Sequence, residues 1–360
     1  MSTAFILGAG FSHPAGLPLQ DDFSNLLFAG EFSGVLDTAI SSNLKTFLSD
    51  VFGWCEGSFL PSLEDIFTYI DLSTATGHDL GIKYKPKLLR ALRRMAIYRI
   101  FSVLDRKFSY SPDITMLLQR AMQAADGTVG FVVLNWDIVL EKHLAMLLPP
   151  PLIDYCCDAF DWNQPDRALL GPGPPAARIC KMHGSSNWAY CENCNSLFYD
   201  LNQKLALHSK VGLIKADFRL FDERFTDSHF DQSLGISPAE RTCRFCKNII
   251  SSHIATFSYR KSFRSHAYPA IWHRAGDILA HANKWVFIGY SLPSSDFELK
   301  HLLKSAELRF AHLRHRPTRT IDVVVRGDAQ RKSYEQFFGT GCFEYYSGGL
   351  AEYVNGSGST

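Results

Sequence analysis

The chain has no apolar run approaching the ~20 residues that a membrane-spanning helix needs, so no membrane association is expected. It also lacks an excess of either charge: 37 Lys and Arg stand against 36 Asp and Glu, for a formal net charge of +1. Without a basic field, direct binding of nucleic acid as the principal ligand is not expected. No positively charged and then apolar leader opens the sequence, which leads us to expect a cytoplasmic protein. Cysteine is sparse and odd in number, nine in 360 residues, with four of them in two Cys-x-x-Cys pairs. That usage disfavours a disulfide scaffold and favours metal binding in a reducing compartment. What is present is 46% hydrophobic and 13% aromatic residues, the composition of a globular chain. The length suffices for a large α/β domain with a satellite module, or for two domains.

The first informative stretch is Ala4-Phe5-Ile6-Leu7, an apolar run too short for a helix, which turns abruptly into Gly8-Ala9-Gly10-Phe11-Ser12-His13. Gly8 and Gly10 would let backbone approach a diphosphate, with the following helix aiming its amides at the anion. His13 occupies the place of the third glycine of a dinucleotide fingerprint, and no acidic residue closes the unit, so an ordinary dehydrogenase motif fails. The same letters also fit a plain strand and tight turn.

Four further strands follow. Val129–Leu134 runs into Asn135-Trp136-Asp137, Arg178–Met182 into His183-Gly184, Lys284–Ile288 into Gly289-Tyr290-Ser291, and Ile321–Val325 into Arg326-Gly327-Asp328. Apolar, β-branched runs separated by helical text predict a parallel sheet with both faces covered: an α/β, Rossmann-like fold. Every polar or glycine-rich signal falls at the carboxyl end of its strand, where open α/β sheets bind ligands. Asn135 and Asp137 can equally cap the next helix, and His183 can be a turn residue. A histidine that titrates near neutrality can take a proton, and Asn135 can orient a water or hydroxyl.

Between the first two strands the text is helical. Ser62 followed by Asp65 marks a helix start, and Lys87, Arg90, Arg93, Arg94 and Arg99 read as the solvated side of a basic amphipathic helix rather than a partner face. Cys191-Glu192-Asn193-Cys194 and Cys243-Arg244-Phe245-Cys246 would close a tetrahedral four-sulfur zinc site with no open position, hence a structural one. His208, His229 and His253 near it read as incidental, Pro149–Pro175 as a loop bordering the site, and Asn355–Thr360 as a flexible tail. The expected organisation is a Rossmann-like domain from 1–33, 126–190 and 250–345, a helical insert at 34–125, a zinc ribbon at 191–249 and a tail at 346–360.

In these residues the chain resembles the sirtuins. The elements that carry the likeness are Gly8-Ala9-Gly10-Phe11-Ser12 with Gly16-Leu17-Pro18, Asn135-Trp136-Asp137, His183-Gly184, the two cysteine knuckles and Gly289-Tyr290-Ser291, in that order. The resemblance implies that Gly8, Ala9, Gly10 and Ser12 hold the diphosphate region of NAD and that Gly289 and Ser291 hold its adenosine side. It also implies that Asn135 and Asp137 contact the nicotinamide ribose and carboxamide, with His183 as base. The family's deacylases carry Asp-Phe-Arg where Leu19-Gln20-Asp21 stand, and Phe-Gly-Glu where Ile254-Ala255-Thr256-Phe257-Ser258 stand. Pro61–Phe67 and Gly289–Asp296 instead resemble the sirtuin-like effectors of bacterial antiphage systems, which hydrolyse NAD, although many of those lack zinc knuckles. The expectation is therefore an NAD glycohydrolase in a homo-oligomer, with an ATPase or other defence-system partner. An NAD-dependent deacylase, a mono-ADP-ribosyltransferase and a non-catalytic sensor of NAD or ADP-ribose are the alternatives.

Overall fold

The computed structural model describes residues 2–28, 33–105, 108–125, 127–147, 153–163, 175–201, 212–223, 225, 242–255, 258, 267–294, 296–314 and 319–356. His208, His229, most of the Pro149–Pro175 loop and residues 357–360 lie outside the described residues, as does the side chain of His253. Among the described residues the strands are β1 (Thr3–Leu7), β2 (Val129–Val133), β3 (Ile153–Asp154), β4 (Ala159–Asp161), β5 (Ala177–Lys181), β6 (Gly184–Tyr190), β7 (Leu197–Tyr199), β8 (Ser251–Ile254), β9 (Lys284–Ile288), β10 (Thr320–Val324) and β11 (Glu344–Tyr346).

The five expected strands form the centre of a seven-stranded sheet in the order β11-β10-β9-β1-β2-β5-β3, and every pairing in it is parallel. Ala4 to Leu7 of β1 are all buried, as a strand covered on both faces requires. Phe5 lies opposite Phe131 of β2, and their rings stack at 5.4 Å. Gly130 in mid-strand has a packing reason: a β-carbon there would meet Ile278 Cγ2 at 2.5 Å, so the helix Ala267–His281 lies directly on β2. Because β1 pairs with β2 on one side and β9 on the other, its carboxyl end is the point where the connections diverge. Open sheets of this kind have their crevice there.

A short helix α1 (Ala9–Ser12) follows β1, and then come α2 (Gln20–Phe28), α3 (Val35–Phe52), α4 (Leu63–Thr76), α5 (Pro86–Asp105) and α6 (Pro112–Ala124). The expected start of α4 is present, with Asp65 N donating to Ser62 Oγ at 3.0 Å. The basic run on α5 is only partly a solvated face. Lys87 and Arg90 are exposed, but Arg93 pairs with Asp71 at 2.9 Å, Arg94 pairs with the buried Asp217, and Arg99 is buried against the Asp37 carbonyl and Ser41 Oγ. Arg93 and Arg99 tie α5 to α4 and α3 within the insert, and Arg94 ties it to the segment that carries Asp217.

From β5 the chain passes through Met182 and His183 alone before entering β6, the centre of a second sheet ordered β4-β7-β6-β8. β6 is antiparallel to both neighbours. Part of the segment read as tail is folded instead. Glu344–Tyr346 is the edge strand β11, and Gly349–Gly356 is a helix tied down by Tyr353 Oη donating to Asp322 Oδ2 at 2.7 Å.

Candidate functional site

The loops after β1 and β9 touch backbone to backbone. Gly8 N donates to Ile288 O and Gly10 N to Gly289 O, both at 2.9 Å. A β-carbon on Gly8 would lie 2.5 Å from Gly289 O, and one on Gly289 would lie 2.2 Å from both Gly10 C and Phe11 N. Gly289 also has φ +61°, a left-handed conformation that only glycine adopts without strain. The glycines thus serve first to seat one loop on the other. The Gly8 and Gly10 amides are satisfied by protein carbonyls rather than left facing an anion.

After β2 the chain turns through Asn135-Trp136-Asp137 into α7 (Val139–Leu147). Asn135 Nδ2 donates to Gly8 O at 2.8 Å and to Ser12 Oγ at 3.1 Å, so Asn135 joins this turn to the glycine loop and is not a helix cap. Asp137 stands one residue before the N-cap position and forms an Asx turn into the helix: Val139 N donates to its Oδ1 at 3.0 Å, and Ser12 Oγ donates to the same oxygen at 2.9 Å. Trp136 Nε1 donates to Ala255 O at 3.0 Å, and Ala255 N donates to His183 O at 2.9 Å. The small sheet is thereby laced to the turn.

His183 sits at the joint between the two sheets, 9% exposed, with Nδ1 3.2 Å from Leu134 O. A carbonyl only accepts, so this contact places the proton on Nδ1 and makes Nε2 the basic nitrogen. A cleft of about 410 Å³ at the carboxyl rim of the large sheet is lined by Asn135, Asp137 and His183 together with Gly8, Ala9, Gly10, Ser12, Gly289 and Ser291. The residues singled out in the sequence, cysteines apart, therefore meet at one place. The cleft also takes in residues to which the sequence reading gives no site role. Glu64 reaches it from α4, Tyr290 donates to Asp296 Oδ2 at 3.0 Å along its wall, and Arg326 is the one lysine or arginine among its described lining residues. Lys181 and Glu141 lie beneath the floor, both fully buried. For Lys181 and Glu141, an ionisable residue directly following an apolar run was the only available signal.

The four knuckle cysteines converge, with all four Sγ atoms within 4.8 Å of one another. Cys191 Sγ lies 3.4 Å from Cys246 Sγ, and Cys194 Sγ 3.5 Å from Cys243 Sγ. Zinc–sulfur bonds of about 2.3 Å in a tetrahedron place sulfurs ~3.8 Å apart, so the cage fits zinc. Both knuckles have the same build. Each Cys-x-x-Cys is followed by a residue at positive φ, Asn195 at 59° and Lys247 at 62°. The chain then returns to its first cysteine, Cys191 N donating to Ser196 O and Cys243 N to Asn248 O. Burial pushes the Cys191 thiol up to about 12, whereas the Asn248 amide lowers Cys246 to about 5. A cation among them is what would hold all four as thiolates.

No protein-family model matches the chain, and no curated protein matches it in sequence. Among solved structures it is similar to Sir2 with a p53 peptide and NAD+, with 13% identity and a TM-score of 0.43, covering 98% of this chain and 90% of that one. It is also similar to Sir2 bound to an acetylated peptide, with 13% identity and a TM-score of 0.40, covering 99% of this chain and 91% of that one.

Proposed function

We propose that the chain is a sirtuin-like NAD+ glycohydrolase that cleaves the nicotinamide–ribose bond. The observation that carries this reading is the convergence of His183, Asn135, Asp137, Ser12 and the two glycine loops on one cleft at the divergence point of the parallel sheet. Cleavage of the bond passes through an oxocarbenium-like state. Nicotinamide leaves as a neutral base with the bonding electron pair, and water adds at the sugar carbon and gives up a proton. In this scheme Asn135 places the water, Asp137 orients the carboxamide, and His183 Nε2 takes the proton from the water or a ribose hydroxyl. Gly8, Ala9, Gly10 and Ser12 would line the diphosphate region, Gly289 and Ser291 the adenosine side, and the four cysteines would hold a structural zinc.

The likeness of Pro61–Phe67 and Gly289–Asp296 to antiphage effectors extends the proposal to an abortive-infection role, in the cytoplasm and within a homo-oligomer. An enzyme that drains NAD must be held inactive until a trigger, such as an associated ATPase or other defence partner, releases it.

The deciding experiment identifies the products released from NAD by the chain in its natural assembly, with and without an acetylated peptide. ADP-ribose and nicotinamide formed without peptide are expected. O-Acetyl-ADP-ribose formed only with peptide would establish a deacylase instead, and ADP-ribose attached to protein a transferase. Tight NAD binding with no product in the triggered assembly would establish a sensor.

A further inference from the structure

Lys181 ends β5, two residues before His183, and its side chain is fully buried. Its Nζ lies 3.3 Å from Oε1 of Glu141, an equally buried residue on α7, and donates to the backbone carbonyl of Asp137. A second layer backs the pair. Tyr155 Oη donates to Glu141 Oε1 at 3.3 Å and accepts from Asn187 Nδ2 at 3.2 Å. The turn above is held on its other sides by Ser12 and Val139 N on the Asp137 carboxylate and by Ser186 N on Trp136 O at 2.7 Å.

A dry ion pair is a poor way to gain stability, because well-packed apolar residues of similar volume do as well or better. This one does something an apolar pair cannot do: it places a cationic donor on one particular carbonyl. The donor stands on the strand end that also carries His183, and the carbonyl belongs to Asp137. We propose that Lys181 is a positioning residue, which fixes the Asn135–Asp137 turn relative to His183 from beneath the cleft, with Glu141 as its counter-charge. The catalytic consequence rests on the proposed NAD site, whereas the ordering of the turn does not.

The test replaces the pair by Lys181→Met with Glu141→Leu. Apolar substitution of both partners keeps the fold, so the thermal midpoint is expected close to the parent's. Amide hydrogen exchange across residues 134–140 should speed up by roughly tenfold or more, because the turn has lost its anchor. NAD turnover should fall by about tenfold to a hundredfold, with KM changed by less than about threefold. A purely structural pair would restore turnover along with the midpoint. Should the double variant fail to fold, Lys181→Met alone serves: burial pushes the Glu141 carboxyl up, so it can stay neutral without its partner. A folded variant with parental exchange across 134–140 and parental turnover overturns the proposal. A parent chain that never hydrolyses NAD sinks the glycohydrolase reading but leaves the exchange measurement to decide the role of Lys181.

Discussion

The Ser12 hydroxyl donates to Asp137 Oδ1 at 2.9 Å, in a buried contact that joins the helical turn after β1 to the turn after β2. The same hydroxyl accepts from Asn135 Nδ2 at 3.1 Å, so one small side chain orders both polar residues of the second turn. Ser12→Ala removes both contacts. Losing a buried hydrogen bond to a carboxylate should cost about 1–3 kcal/mol, read as a lowered denaturation midpoint. Turnover of NAD should fall further than that loss of stability explains, because Asn135 is left with its Gly8 O bond alone and Asp137 loses the donor that ties it to the glycine loop. A variant with parental turnover would show that Ser12 is only structural.

His183→Ala tests the proposed base. General-base catalysis contributes ~10²–10⁴-fold, so turnover should drop by that order. NAD affinity, read by calorimetry, should be largely kept, because the imidazole is proposed to act on the transition state. Unchanged turnover would remove His183 from the mechanism while leaving the cleft intact.

Gly289→Ala examines the loop contact. The new methyl would sit 2.2 Å from Gly10 C and Phe11 N, on a residue with φ +61°. Neither backbone segment can move without breaking the Gly8 and Gly10 hydrogen bonds to Ile288 and Gly289. A destabilisation above about 3 kcal/mol is expected, among the larger effects of single substitutions, and would appear as loss of soluble protein or a steep fall in midpoint. A folded variant that merely loses NAD binding would return these glycines to the ligand-approach role expected from sequence.

Much of the fold was legible because strands buried on both faces leave continuous apolar runs, as Phe5-Ile6-Leu7 and Trp285-Val286-Phe287-Ile288 do. The edge strands β3 and β11, of two and three residues, are too short to carry any period. β6 escaped for another reason. Ser185, Ser186 and Asn187 are polar letters that read as a turn, yet all three are buried, with Asn187 Nδ2 bonded to Tyr155 Oη and to Asp200 O at 3.0 Å. Arg93 and Arg94 looked solvent-facing because their partners, Asp71 and Asp217, come from segments that only folding brings near. The site residues were legible as strand-end signals. The pairing of Gly8 and Gly10 with Gly289 was not, since nothing in a glycine announces which backbone it will face.

The cysteine cage predicts bound metal. Chain purified without added metal should carry about one zinc per molecule by elemental analysis, the stoichiometry of a closed four-thiolate site. Chelation should lower the thermal midpoint and change the fluorescence of Trp162, which packs on Phe198 with ring centroids 5.4 Å apart beside the knuckles. Metal binding is coupled to folding of such modules, so Cys243→Ser should reproduce the effect. Complete removal of zinc with no change in midpoint would leave the cage without a structural role.

His143 gives the molecule an acid-sensitive joint. It is fully buried on α7, with Nε2 accepting from Ser111 N at 3.0 Å and Nδ1 2.7 Å from Val139 O. Nε2 can accept only while unprotonated, and burial lowers the imidazole pKa below 6.5. Below its ordinary pKa the unfolded chain binds a proton that the folded chain refuses. The stability from neutral His143 is therefore complete above about pH 6.5 and declines as pH falls from there to the lower folded value. Thermal midpoints measured from pH 7.5 to 5 should fall more steeply for the parent than for His143→Gln, which does not titrate. His143→Gln should itself be less stable near pH 7.5, where the parent's imidazole is neutral and fully bonded. Parallel profiles for the two proteins would place the acid sensitivity at other groups and leave His143 with packing alone.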